Sequence, residues 1–286
     1  MNRNTITIIL ILLFNCDNKV KISAKAENDM LSLMTYNIRL NTASDGENAW
    51  PNRKSFLSSQ VLFLNPDVMG VQEALPNQIK DLNLLLKDYK FIGEGRDGGD
   101  NGEYSAIYYN SKKIKIEDYN TFWLSTTPEI VSKGWDAALP RICTYGLFSK
   151  LENDSKFWVF NTHFDHVGAE ARKESIKLIL RKIEKLNTNN YPVLVMGDLN
   201  VEPSSDVIYE AKNKLQDAKE MATVKYGADG TFNGFNYYEP VTRRIDYIFV
   251  SKSPKVKVQK YAVLSSAIDF KFPSDHFPIY IETQLK

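Results

Sequence analysis

From Met30 onward, short apolar runs alternate with stretches in which apolar residues recur every three or four positions. Runs 31–37 and 66–73 predict strands, and between them Leu57, Val61 and Leu64 fall at helical spacing, giving a strand, helix, strand unit. Pro76-Asn77 predicts the cap of a second helix whose stripe is Ile79, Leu82, Leu85, Leu86 and Tyr89. Residues 104–109 predict another strand. A third helix carries Ile176, Ile179, Leu180, Ile183 and Leu186 on one face, with Lys173, Lys177, Arg181 and Lys185 forming a solvated outer face. Runs 141–148, 156–164, 192–198, 245–250 and 278–283 are apolar through most of their length, which predicts strands covered on both faces. Two packed sheets with helices outside meet that requirement. No internal repeat or low-complexity tract marks a further boundary, so 30–286 reads as one domain.

The start of the chain has a different pattern. Arg3 precedes an apolar run, 6–14, which is far short of the roughly 20 residues that a membrane-spanning helix needs. Its length suits the apolar region of an export signal, and Leu13-Phe14-Asn15-Cys16 is similar to a bacterial lipobox. Residues 1–16 therefore read as a signal peptide ending in a lipidation site at Cys16, and 17–29 as a polar tether. The expected location is the cell envelope, with secretion or the periplasm as the alternative, and the only expected membrane contact is the N-terminal lipid.

Composition narrows the chemistry. Lys and Arg number 36 against 35 Asp and Glu, and cleavage before Cys16 removes only Arg3, leaving 35 against 35. That balance excludes the global basic excess that drives sequence-independent binding to nucleic-acid backbones. Three histidines, His163, His166 and His276, exclude a multi-histidine zinc cage unless all of them converge. Two cysteines exclude a disulfide scaffold, and Cys143, inside an apolar run, reads as an inert buried thiol. Nothing in the sequence sets an oligomeric state.

Acids and amides stand where apolar strands stop: Asn37, Glu73, Asp198 with Asn200, and Asp275 with His276. A carboxylate at a strand end is held by a fixed backbone while its side chain emerges at a rim, which suits hard-metal binding or base catalysis. Each position alone reads equally as a turn former.

Together these residues lie in motifs: Thr35-Tyr36-Asn37, Pro66-Asp67-Val68-Met69-Gly70-Val71-Gln72-Glu73, Asn161-Thr162-His163, Gly197-Asp198-Leu199-Asn200, Arg244-Ile245-Asp246-Tyr247-Ile248 and Ser274-Asp275-His276-Phe277-Pro278. In this order they strongly resemble the endonuclease/exonuclease/phosphatase superfamily. The segments 121–125, 134–141 and 230–235 are most similar to a secreted bacterial branch of it. The resemblance implies a DNase I-like four-layer α/β sandwich, two facing mixed sheets flanked by helices, with its site at one rim. It implies metal-assisted hydrolysis of a phosphate ester, with Mg²⁺ as cofactor and Mn²⁺ as a substitute.

Residue roles follow from the same resemblance. Glu73 is implied as the principal metal ligand, with Asn37 and Asp275 completing or orienting its shell. Asp198 is implied to position and deprotonate the attacking water, and Asn200 to hold that water or a phosphate oxygen. His276 is implied to bind a phosphate oxygen while Asp246 fixes its tautomer and keeps it cationic. His163, paired with Glu103, is implied as the proton donor to the leaving oxygen. Arg141 and Asn37 are also implied phosphate contacts, although Arg141 could instead simply stack on Trp135. His166 reads as a cap or a contact at the start of the third helix, and the aromatic-rich segment 232–238 either stacks a ring of the substrate or packs internally.

The expected substrate is a phosphate ester of a nucleic acid, nucleotide, phospholipid or sugar. A diesterase is the favoured reading, because His163 with Glu103 would protonate a poor leaving group and because Arg39, Arg141, Arg243 and Arg244 form no cluster along the chain. Alternatives are a phosphomonoesterase, a sphingomyelinase-like phospholipase, and a surface binding lipoprotein without catalysis. For the N-terminus the expected outcome is a lipid on Cys16. Mass spectrometry of the mature protein, with Cys16→Ser as the control that releases it from the membrane, checks this, and an unmodified start beyond Cys16 refutes it.

Overall fold

The structure is a computed structural model that describes residues 30–285. The signal segment 1–16, with its lipidation site Cys16, and the tether 17–29 lie outside the described residues. Among the described residues thirteen strands and five α-helices form two mixed sheets. The first sheet runs in the order β10 (Val224–Gly227), β12 (Val256–Val263), β13 (Ile279–Leu285), β1 (Met30–Asn37), β2 (Val68–Gln72), β4 (Ile107–Asn110) and β3 (Tyr89–Ile92). The second runs β5 (Ile114–Trp123), β6 (Ile142–Lys150), β7 (Lys156–His163), β8 (Val193–Asp198), β11 (Asp246–Ser251) and β9 (Leu215–Asp217).

Strand chemistry explains the four layers. Along β1, Leu31 and Leu33 point inward to the core between the sheets, while Met34 and Tyr36 point outward. Along β7, Phe157 and Val159 point inward, and Trp158 and Phe160 outward. Because both alternating sets are apolar, each sheet needs a second cover. Helices α1 (Trp50–Leu64) and α2 (Pro76–Leu85) cover the first sheet through Leu57, Val61, Ile79 and Leu82. Helices α3 (Ala169–Leu186) and α4 (Asp206–Lys214) cover the second through Ile176, Ile179, Val207 and Ile208. A short helix, α5 (Ala218–Met221), follows β9.

The differences from the sequence reading are local. Helix α2 starts with Pro76 at its first turn, and its cap is closed by Gln78, whose Oε1 accepts from Leu75 N, rather than by Asn77. The helix ends at Leu85, and Tyr89 opens β3. Residues 104–106 precede β4, with Tyr104 bridging to Ala74 and Gly95. His166 does not cap α3, whose N-cap is Gly168. Instead the buried Asp165 carboxylate takes the Val167 and Gly168 N–H groups at 3.0 and 2.7 Å. Cys143 is buried in β6, and burial pushes its thiol well above the usual value.

Asn161 makes a polar contact across the interior. Asn161 follows Val159 on the inward face of β7 and is fully buried. Its Nδ2 donates to Val71 O and Ala106 O in the opposite sheet, both at 2.9 Å, and its Oδ1 accepts from Gln72 Nε2. Gly70 makes the approach possible, since a Cβ there would stand 2.6 Å from Asn161 Oδ1. Leaving two carbonyls and one amide without these partners should cost about 3 kcal/mol. Asn161→Leu is therefore expected to lower Tm by roughly 6–12 °C. Thermal unfolding followed by circular dichroism checks this, and an unchanged Tm would show that the two sheets hold without the tie.

Candidate active site

Five strands deliver their ends to one rim between the sheets. Strand β1 ends at Asn37, β2 runs out at Gln72 and Glu73, β7 ends at His163, β8 ends at Asp198, and β11 begins at Asp246. Register fixes their spacing: Asn37 pairs with Gln72, His163 with Asp198, and Asp246 with Asp198. The segment before β13 adds Asp275 and His276.

Asn37 ties the acids together. Its Nδ2 donates to Glu73 Oε1 and to Asp198 Oδ2, each at 3.0 Å, while its Oδ1 accepts from Arg39 N. Asn37 thus orients the two carboxylates, while its Oδ1 keeps a second lone pair. Glu73 Oε2 takes the Leu40 N–H at 3.1 Å, and Asp198 Oδ1 takes the Asn200 N–H at 2.9 Å. Glu73 and Asn200 adopt left-handed backbone at φ 64° and 51°, a conformation that costs about 1 kcal/mol or more per non-glycine residue. Such cost is tolerated where a side chain must be aimed.

Electrostatics at the rim are dominated by burial. Asp198 is pushed up to about 7 by burial and by the neighbouring charge of Asp246. Burial raises Asp275 as well, with Glu73 adding to the rise and His276 opposing it. For His276, burial alone would favour the neutral ring, but the charge of Asp246 and its hydrogen bond to Nδ1 at 2.8 Å outweigh it and push the imidazole up to about 10. His276 is thus an imidazolium with Nε2 3.8 Å from Asp198 Oδ2. His163 goes the other way: burial, then Arg141 and His276, hold it well below the usual value, so it is neutral.

The donor atoms of Glu73, Asp198 and His276 lie within 4.8 Å of one another. A divalent cation would relieve Asp198 and Asp275, whose ionisation burial disfavours. Because Asp246 keeps His276 protonated, the suited donors are carboxylate oxygens, which match a hard divalent cation.

Two implied contacts are rearranged. Glu103 makes no hydrogen bond to His163; its Oε1 pairs with Arg96 Nη2 at 2.7 Å. His163 Nε2 instead accepts from Asn200 Nδ2 at 3.1 Å, and the same amide donates to Phe164 O. Arg141 does not stack on Trp135. Its Nε meets Asp165 Oδ2 at 3.3 Å and its Nη2 meets His166 Nδ1 at 3.0 Å. Arg141 and His166 both line a cavity of about 450 Å³ that also takes in Glu73, His163, Asp198 and His276. Arg39, Arg96 and Arg243 line it too, so four arginines that are scattered along the chain contribute to one wall. Arg96 was missed from the sequence, although Gly95, Gly98 and Gly99 signal a tight hairpin that returns it to the rim. Phe232 forms part of the wall, with its ring edge-on to His276 at 5.1 Å and Arg243 lying 5.1 Å from its centroid.

A model of the Endonuclease/Exonuclease/phosphatase family matches residues 34–276. A mannosyl-6-phosphatase of Bacteroides thetaiotaomicron is 38% identical, with a TM-score of 0.85, covering 88% of this chain and 99% of that one. The crystal structure of another family protein from the same organism is 37% identical with a TM-score of 0.85, covering 90% and 98%. A curated relative, an uncharacterized protein of Acanthamoeba polyphaga mimivirus, is 29% identical over 161 residues, which cover 54% of this chain and 60% of that protein.

The His276 and Asp246 pair can be tested alone. Histidine NMR titration of the metal-free protein should show His276 protonated from pH 6 to 9, and Asp246→Asn should bring its pKa down by more than about 1 unit. A wild-type His276 that titrates in the ordinary histidine range would remove the assigned charge.

Proposed function

Because the chain belongs to the Endonuclease/Exonuclease/phosphatase family, we propose that it is a Mg²⁺-dependent phosphomonoesterase acting on a sugar phosphate. The observation that carries this reading is that Arg39, Arg96, Arg141 and Arg243 all line the cavity that holds Glu73, Asp198 and His276. A terminal phosphate presents more charge and more free oxygens than a diester, and guanidinium groups match it. The diester reading rested in part on a Glu103 and His163 pair, and Glu103 instead pairs with Arg96, while arginines dispersed along the chain line one cavity. The likeness to a mannosyl-6-phosphatase over nearly the whole chain supports a sugar as the leaving group.

The chain's own residues divide the work. Glu73, oriented by Asn37 and Leu40 N, would hold the divalent ion, with Asp198 and Asp275 close by. When bound, the ion supplies charge neutralisation to the phosphate. Asp198, poised near neutrality, takes a proton from the attacking water. The imidazolium of His276 donates to a phosphate oxygen, and Asp246 keeps it charged. As the new P–O bond forms, the bond to the sugar oxygen breaks, and that oxygen takes up a proton from solvent while Asp198 returns its own to solvent. The neutral His163, bonded to Asn200, orients that amide rather than serving as a strong acid. Export with a lipid on Cys16 would place this activity at the cell envelope.

The test is to compare kcat/KM for a sugar 6-phosphate, p-nitrophenyl phosphate and bis-p-nitrophenyl phosphate with Mg²⁺. The monoesters should be preferred by ~10-fold or more, EDTA should abolish turnover, and Asp198→Asn should lose at least ~10²-fold in kcat. A preference for the diester would overturn the reading.

A further inference from the structure

A second cavity, of about 300 Å³, is linked to the catalytic one through Arg53, which lines it and donates to Arg39 O in the catalytic wall. Its wall includes Glu47, Asn48, Asn52, Phe56, Lys271 and Phe272. Arg53 separates the two spaces. Its guanidinium is almost fully enclosed and donates to Arg39 O, Ile38 O, Asn48 O and Pro273 O, and so it pins the two backbone segments between the cavities. Arg39 lies in the catalytic wall and Asp275 follows two residues after Pro273, so the two cavities are neighbours across one layer of backbone.

The segment from Phe232 to Tyr238 starts in the catalytic wall and packs on wall residues of the second cavity. Phe232 belongs to the catalytic wall, Phe235 lies 5.7 Å from the Arg53 guanidinium, and Tyr237 packs on Phe272 at 5.4 Å. Beyond them stand rings that face solvent: Tyr238 is 82% exposed and Phe270 is 65% exposed, stacked at 6.4 Å with an interplanar angle of 21°. Tyr237 braces both, edge-on at 5.4 and 5.2 Å. Phe270 sits at the tip of a hairpin closed between Ile268 and Lys271, with left-handed backbone at φ 61°. A bulky ring in that conformation, turned outward, is costly in strain and in exposed apolar area.

Stacked aromatic faces next to amides, a carboxylate and an ammonium match one class of ligand. A sugar ring presents an apolar face of C–H groups for the aromatics and a rim of hydroxyls for Asn48, Asn52, Glu47 and Lys271. The wall carries both signs of charge, paired as Glu47 with Lys271 at 2.8 Å, which suits a neutral ligand. We propose that this second cavity and the Tyr238 and Phe270 platform form a saccharide subsite, so that the substrate is a phosphorylated oligosaccharide whose further rings extend beyond the ring that bears the phosphate. This rests on the sugar-phosphate reading of the catalytic site.

The experiment compares a monosaccharide 6-phosphate with an oligosaccharide of three or four rings bearing the same phosphate. Wild-type kcat/KM should favour the longer substrate by ~10-fold or more. Tyr238→Ala with Phe270→Ala should bring the two to near equality by raising KM for the long substrate, with kcat and the short substrate unchanged. Asn52→Ala, away from the rings, should give part of the same loss. Equal rates on both substrates in wild type, or an undiminished preference in the variants, overturns the subsite while leaving the catalytic reading intact. No turnover of either phosphate overturns the catalytic reading itself. A platform that binds nucleosides or anionic vesicles but not unphosphorylated oligosaccharide, measured by calorimetry, also refutes the saccharide assignment.

Discussion

The Asn161 amide spans the gap between two sheets whose facing surfaces are otherwise largely apolar, and the geometry of the rim depends on that tie. Its hydrogen bonds to Val71 O and Ala106 O fix how close β7 comes to β2, and Gly70 leaves room for the approach. Two residues further along each strand stand His163 and Glu73. A side chain that met carbonyls in the opposite sheet would hold one separation firmly, whereas apolar packing alone tolerates small slides. The chain then continues the polar path outward: Gln72 bonds Thr35 and Asn161, and Asn37 bonds Glu73 and Asp198. Structural amides lie inside and reactive carboxylates at the mouth, on the same strands.

Strands covered on both faces were legible because inward and outward residues are both apolar, as Phe157 to Phe160 demonstrate. Strand β5 was not, since its middle residues from Glu117 to Asn120 are exposed and carry no apolar pattern. Strand β12 is broken by a register shift between Val258 and Lys260, which disrupts its alternation. Tyr89 fitted the stripe of α2, yet it begins β3, because the chain leaves the helix at Leu86 and Tyr89 is claimed by pairing with Asn110. Tertiary pairing decided what local periodicity left open.

At the rim the same division holds. Residues at strand ends were legible, because register places Asp198 beside both His163 and Asp246 wherever the sheet forms. Partners supplied by loops were not. Arg96 comes from a hairpin whose closure depends on glycines, and it takes Glu103 away from His163. His166 precedes a helix and reads as a cap, but Asp165 does the capping, which frees His166 to meet Arg141. Both outcomes follow from side chains competing for one acceptor in three dimensions, which linear spacing does not encode.

Pairing also changes what the cluster of arginines means. Each guanidinium in the cavity already faces a carboxylate: Arg39 faces Asp45, Arg96 faces Glu103, Arg141 faces Asp165, and Arg243 lies 3.9 Å from Glu202. The field reaching into solvent is therefore small, in keeping with a chain of nearly equal acid and base content. Recognition then rests on donors fixed in direction rather than on long-range attraction. A phosphate that reaches them exchanges its water for oriented N–H groups whose partners have already met the cost of holding them there. Under the proposed reading, discrimination among phosphate monoesters then rests on what the organic part of the substrate touches, along the wall running from Phe232 past Arg53 to the exposed rings.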